Sequence, residues 1–140
     1  MTSPDTPRPP LELSLTWERD LLFSGYVGEH RLHLDGDGKD GVSPVQALGF
    51  ALASCMGSDV ALILTRGRHP LRALRAHLTA HRAPSDPRRF VSVALRFEIE
   101  GAVPREAVER AIALSHEKYC SVWHSLRQDI AFETSFEVVG

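Results

Sequence analysis

Only two cysteines, Cys55 and Cys120, occur among the 140 residues. That is too few for the disulfide framework of a small secreted domain. Inert core filler, metal ligation and reversible thiol chemistry remain as their uses. Aromatic residues are scarce at 7%, and the net charge is only -2, so nothing in the charge balance calls for DNA or an anionic membrane as partner. Seven arginines do fall between Arg66 and Arg89 with one aspartate. Without interleaved aromatics they read as a solvated strand face rather than a nucleic-acid surface. There is no phosphate loop, dinucleotide fingerprint or nucleophile elbow, no internal repeat and no secretory signal. Residues Met1 to Pro10 carry four prolines and read as a flexible tail. The longest uncharged stretch, Val42 to Ser58, contains Ser, Gln and Gly and suits a buried helix better than a membrane span. These absences imply a cytoplasmic chain with no cofactor, no membrane partner and no nucleic-acid partner. The length fits one domain, residues 11–140.

What is present is clear periodicity. Leu11, Leu13, Leu15 and Trp17 alternate with Glu12, Ser14 and Thr16, the pattern of a half-buried strand. Further strands are expected at Leu22 to Val27 and Arg31 to Leu34, making a meander. Asp35 to Gly41 is a turn by composition. It superficially resembles a calcium loop, but Lys39 occupies a ligand position and the glycine is one residue late. Ser43, Pro44 and Gln46 form a helix-start signal, and the helix should run to Arg66 with Gly67 ending it, a length of about 34 Å. Gly49, Ala53 and Gly57 form a smooth ridge along it that would let another helix approach closely; two copies of the chain packed together would bury it. A hairpin follows, with Leu74, Ala76, Leu78 and Ala80 alternating on one strand and Val91, Val93, Leu95, Phe97 and Ile99 on the next. Pro104 opens a second helix with Val108, Ala111 or Ile112, and Ser115 inward. A break is expected near Cys120, with Ser121 capping a short helix, before a last strand through Ile130, Phe132, Thr134, Phe136 and Val138. The order βββ-α-ββ-α-(α)-β argues for an α+β fold with a mostly antiparallel sheet and a long central helix.

Cys55 sits inside the apolar helix. It is either a buried structural thiol or a reactive one that needs a cation from elsewhere, since mid-helix placement gives no dipole assistance. Asp59, one turn later, either orients a cationic partner or marks where the helix meets water. Cys120 falls at an expected helix start, near Lys118, His116 and His124. Exposed amides and cations there would lower its pKa; the alternative is a residue facing the core. His116, Cys120 and His124 have ligand-like spacing only if the helix is continuous, and with Cys55 they would complete a zinc set. The expected break spoils that geometry, so no metal is assigned.

The chain resembles the OsmC/Ohr superfamily of thiol-dependent proteins over nearly its whole length, from about Leu11 to Val138. The marks are Ser43-Pro44 opening a long helix, the segment Ala51-Leu-Ala-Ser-Cys55-Met-Gly-Ser-Asp59, and the segment Leu114-Ser-His-Glu-Lys-Tyr-Cys120-Ser-Val122. The last two look closer to the less characterised OsmC-like branch than to the organic hydroperoxide resistance proteins. The resemblance implies an OsmC-like fold assembled as an intertwined homodimer. It also implies a peroxidase acting on organic hydroperoxides, with Cys55 as attacking thiol, Cys120 as resolving thiol, and a dithiol or lipoyl-type reductant.

One position departs from the pattern. Peroxidase members carry a Glu after the helix-opening proline, and it braces an Arg that activates the thiolate. Val45 stands there instead. Arg19 is the nearest counterpart of that Arg in rank order, Arg31 is a second candidate, and His116 is a further substitute cation. Two other readings stand beside the peroxidase. One is an OsmC-like protein without peroxidase activity that binds a small hydrophobic or thiol-reactive ligand at the dimer interface. The other is a structural protein whose cysteines are merely buried.

Overall fold

A computed structural model describes residues 5–140. The first four residues of the expected tail lie outside the described residues; residues 5–10 form no helix or strand and are exposed. The chain forms two compact units, Met1–Ala47 and Leu48–Gly140.

The first unit is an antiparallel meander of β1 (Ser14–Arg19), β2 (Leu22–Val27) and β3 (His30–Asp35), in that order across the sheet. Alternation in Leu11 to Trp17 reads as half-burial, but β1 is exposed along its length, and Trp17 is 63% exposed. A three-stranded sheet needs a second layer to bury a face, and this unit has none of its own. The turn after β3 winds around one side chain. Asp35 Oδ1 and Oδ2 accept the N–H groups of Asp37 and Asp40 at 2.8 and 3.0 Å. Those amides, Asp40's first, hold the Asp35 carboxyl below the usual carboxylate range.

The helix α1 (Pro44–Arg66) begins and ends where the sequence places it. Gln46 N–H donates to Ser43 Oγ at 3.2 Å, and Ser43 N–H donates to Gln46 Oε1 at 2.9 Å, a reciprocal capping box. At the other end, Arg68 N–H bonds Thr65 O and His69 N–H bonds Leu64 O, both at 3.0 Å. The left-handed residue of this C-terminal motif is Arg68, at φ 62, rather than Gly67.

In the second unit, β4 (Leu71–Arg82), β5 (Phe90–Gly101) and β6 (Ala131–Val139) form a sheet in that order. β4–β5 is antiparallel and β5–β6 parallel. Val93, Leu95, Phe97 and Ile99 of the central strand are almost fully buried. They stand in register with Ala80, Leu78, Ala76 and Leu74 on one side, and with Phe132, Thr134, Phe136 and Val138 on the other. α1 presents Gly49, Leu52, Met56, Val60 and Leu64 inward. Within this chain its small-residue ridge meets the sheet: Cβ atoms at Gly49 and Gly57 would lie 3.6 and 3.9 Å from Leu78 and Leu74 of β4. Small residues thus admit the leucines of the strand. The first half of the helix is not enclosed by this chain, since Phe50 is 66% exposed and Leu48 is also exposed; Leu62, in the second half, is exposed as well. By length and composition α1 could cross a membrane, with mean hydropathy 1.8 over its most apolar window; core helices of soluble proteins share that property. α2 (Arg105–Leu114) packs Val108, Ala111 and Ile112 inward. A π-turn, Ser115–Tyr119, and a one-turn helix α3 (Ser121–His124) lead toward β6.

The arginines from 66 to 89 behave as a solvated face. Arg72 and Arg75 lie 3.8 and 3.9 Å from Glu100, and Arg88 lies 3.6 Å from Asp86, all exposed.

Candidate active site

Two segments far apart in sequence bring the cysteines together. Cys55 occupies the border between the buried and open faces of α1 and is half-buried. Cys120 is completely buried, in the extended residue between the π-turn and α3. Both thiols are free, and Cys55 lies near enough to Cys120 to influence its titration.

The expected break comes at Cys120 but differs in form. α2 does not simply stop: it widens into a π-turn, closed by Cys120 N–H on Ser115 O at 2.8 Å. No glycine or proline marks this widening. π-turns are uncommon and recur at functional sites. The cap of α3 is also Cys120 rather than Ser121: its sulfur accepts the Trp123 N–H at 3.3 Å.

The expected lowering of the Cys120 pKa does not occur. Burial comes first and pushes the thiol up to about 11; the Trp123 amide opposes this, and the Cys55 thiol adds to it. The neighbouring cations are occupied elsewhere. Lys118 sits over the Tyr119 ring at 5.3 Å. The His116 ring packs 5.4 and 5.2 Å from Trp123 and Phe132. A His124 ring nitrogen bonds the His116 carbonyl at 2.9 Å. His116, Cys120 and His124 therefore do not converge, and among the described residues no group of three His, Cys, Asp or Glu is placed to hold a metal.

Asp59 does have a partner, but it is a hydroxyl rather than a cation: Ser115 Oγ donates to Asp59 Oδ2 at 2.7 Å. Sequence reasoning placed Ser115 on the inner face of α2 without a role. A serine on an apolar stripe was the available signal, because a hydroxyl buried there needs a partner; Ser115 is in fact fully buried.

Arg19 belongs to the first unit. Its guanidinium donates to Asp40 Oδ2 at 2.8 Å and lies 3.6 Å from Asp20. Arg31 lies over the Tyr26 ring and reaches Ser24 Oγ at 3.5 Å. A separate open groove of about 480 Å³ runs between α2 and β6, beside Arg105, Glu109, His116 and Phe136, and neither cysteine lines it.

Paired thiols of this kind suit reversible oxidation, one sulfur being oxidised and the other condensing with it. Comparisons agree in family. Residues 36–135 match the family described as OsmC-like protein. Protein YhfA of Escherichia coli (strain K12) is 33% identical over 133 residues, covering 93% of this chain and 99% of that protein. A hypothetical protein from Aquifex aeolicus VF5 superposes with a TM-score of 0.88 at 25% identity, covering 94% of this chain and 98% of that one. An organic hydroperoxide resistance protein from Legionella pneumophila shares the fold, with a TM-score of 0.70 at 17% identity over 95% of this chain and 100% of that one. The chain belongs to the OsmC/Ohr superfamily.

Proposed function

We propose that the protein is a cytoplasmic, homodimeric thiol peroxidase that reduces organic hydroperoxides through a two-cysteine cycle. The observation that carries the proposal is the proximity of Cys55 to the buried Cys120. In the first step the Cys55 thiolate attacks the distal oxygen of ROOH. The O–O bond breaks, and Cys55 becomes a sulfenic acid as the alkoxide takes a proton to leave as ROH. In the second step the Cys120 sulfur displaces the sulfenate oxygen as water, forming the Cys55–Cys120 disulfide. A dithiol or lipoyl-type reductant then restores both thiols and leaves as its own disulfide. The division of labour has a physical basis. Burial keeps Cys120 protonated at neutral pH, which suppresses its own reaction with peroxide, because the thiolate is the nucleophile.

Arg19 is the proposed activating cation, by resemblance. In support, Asp40 holds its guanidinium, a carboxylate brace from a different position than the helix-opening Glu that Val45 replaces. The domain extends over residues 11–140. The exposed Phe50, Leu48 and Leu62 on α1 support the homodimer, which would cover them.

Val45 also favours a second reading: an OsmC-like protein without peroxidase activity that takes a small hydrophobic or thiol-reactive ligand at the dimer interface. Steady-state consumption of an alkyl hydroperoxide with dithiothreitol as reductant separates the two. A saturable rate abolished in Cys55→Ser supports the peroxidase. Ligand binding retained in Cys55→Ser, with no turnover by wild type, supports the alternative.

A further inference from the structure

Asp59 and Ser115 take no part in the steps above, yet they join the two cysteine-bearing segments. Asp59 is one turn after Cys55 on α1, so the two project to the same side of the helix. Ser115 opens the π-turn and is completely buried. Its hydroxyl donates to Asp59 Oδ2 at 2.7 Å, while its carbonyl accepts the Cys120 N–H at 2.8 Å. One residue thus bonds the Cys55 helix through its side chain and the Cys120 backbone through its main chain. We propose that this Asp59–Ser115–Cys120 chain is a clasp that positions the two sulfurs for bonding, which makes Asp59 and Ser115 positioning residues for the disulfide step. The proposal rests on reading Cys55 and Cys120 as a disulfide-forming pair.

The physical case is geometric. A disulfide demands a sulfur–sulfur distance of about 2 Å and a narrow range of dihedral angle. Neighbouring free thiols must still close a further distance. α1 is poorly placed to move, because Leu52, Met56, Val60 and Leu64 are locked in the core. Cys120 lies outside helical geometry, with φ -72 and ψ 99, between the π-turn and a single helical turn, so the adjustment falls to its segment rather than to the continuous helix. The clasp fixes the start of the π-turn to α1, leaving the adjustment to its far end. A hydrogen bond to a carboxylate is roughly twice as strong as a neutral one, and holding two reacting groups near their bonding geometry raises their effective concentration. Without the clasp the sulfurs sample a wider range of separations, and the disulfide becomes harder to form.

The test uses the disulfide equilibrium alone and needs no peroxide. Full-length protein is equilibrated with glutathione and glutathione disulfide. Both protein thiols are oxidised to one disulfide as one glutathione disulfide is reduced to two thiols, which carry away the two protons. The equilibrium constant is expected to fall at least tenfold in Ser115→Ala and in Asp59→Ala, a shift of about 30 mV toward a less reducing couple. The double variant should be no worse than the weaker single, because both remove one shared interaction. Asp59→Asn, which keeps an acceptor oxygen, should recover most of the loss. Circular dichroism checks folding, and the Asp59 variants carry the test if Ser115→Ala does not fold. Constants within twofold of wild type in the folded variants overturn the clasp. A wild-type protein that forms no Cys55–Cys120 disulfide at any glutathione ratio overturns the pairing itself and the clasp with it.

Discussion

A thiol that caps a helix usually gains thiolate character from the amides it faces. Cys120 accepts the Trp123 amide, yet burial outweighs that help and its pKa rises to about 11. The consequence for stability has a definite sign. An unfolded cysteine titrates near 8.5, so between about pH 9 and 11 the unfolded thiol loses its proton while the native one keeps it. Stability from this group is full below the unfolded pKa and is lost as pH rises through the folded one. Denaturant unfolding across pH 8 to 11 should therefore show wild type losing stability relative to Cys120→Ala as pH rises; parallel curves would show that burial does not perturb this thiol. Local sequence could identify Cys120 as special but not the sense of its shift. Lys118, His116 and His124 are near in number, but their side chains are taken up by the Tyr119 ring, the Trp123–Phe132 cluster and the His116 carbonyl.

At the scale of elements, signals carried by a few adjacent residues were legible. The Ser43–Gln46 capping box and the Arg66 terminus fix α1. Alternation fixes β5, and register then supplies its neighbours. Features set by contacts distant in sequence were not legible. The Gly49–Ala53–Gly57 ridge announces a close neighbour but not its identity, which is the Leu74 and Leu78 face of β4. The π-turn has no local marker, because its five residues contain neither glycine nor proline. One junction depends on a single glycine. Gly101 ends β5 at φ 134, a backbone conformation that side chains rarely adopt, and a Cβ there would collide with the Pro70 carbonyl oxygen beside the start of β4. Gly101→Ala should cost more than about 2 kcal/mol, measurable as a lower denaturation midpoint at unchanged m-value. A midpoint equal to wild type would mean that the β4–β5 end relaxes freely.

For the whole molecule, the apolar residues left open bear on the proposed homodimer. Leu11, Leu13, Leu15, Trp17 and Leu32 of the first unit are exposed, as are Phe50 and Leu62 of α1. A second copy packed over them, as proposed above, would cover these side chains. The sequence signalled this through a helix with no charge before Asp59. The family was legible because the two cysteine segments keep their surroundings as well as their spacing. The chemistry was less legible, since Val45 stands where the resemblance implies the bracing Glu. The central claim is that Cys55 is oxidised by a hydroperoxide and resolved by Cys120. Intact-mass and peptide mass spectrometry after one equivalent of tert-butyl hydroperoxide tests it most directly. The account predicts a Cys55–Cys120 disulfide in wild type and, in Cys120→Ser, a dimedone-trappable sulfenic acid at Cys55. Both thiols remaining reduced in wild type under those conditions would contradict it.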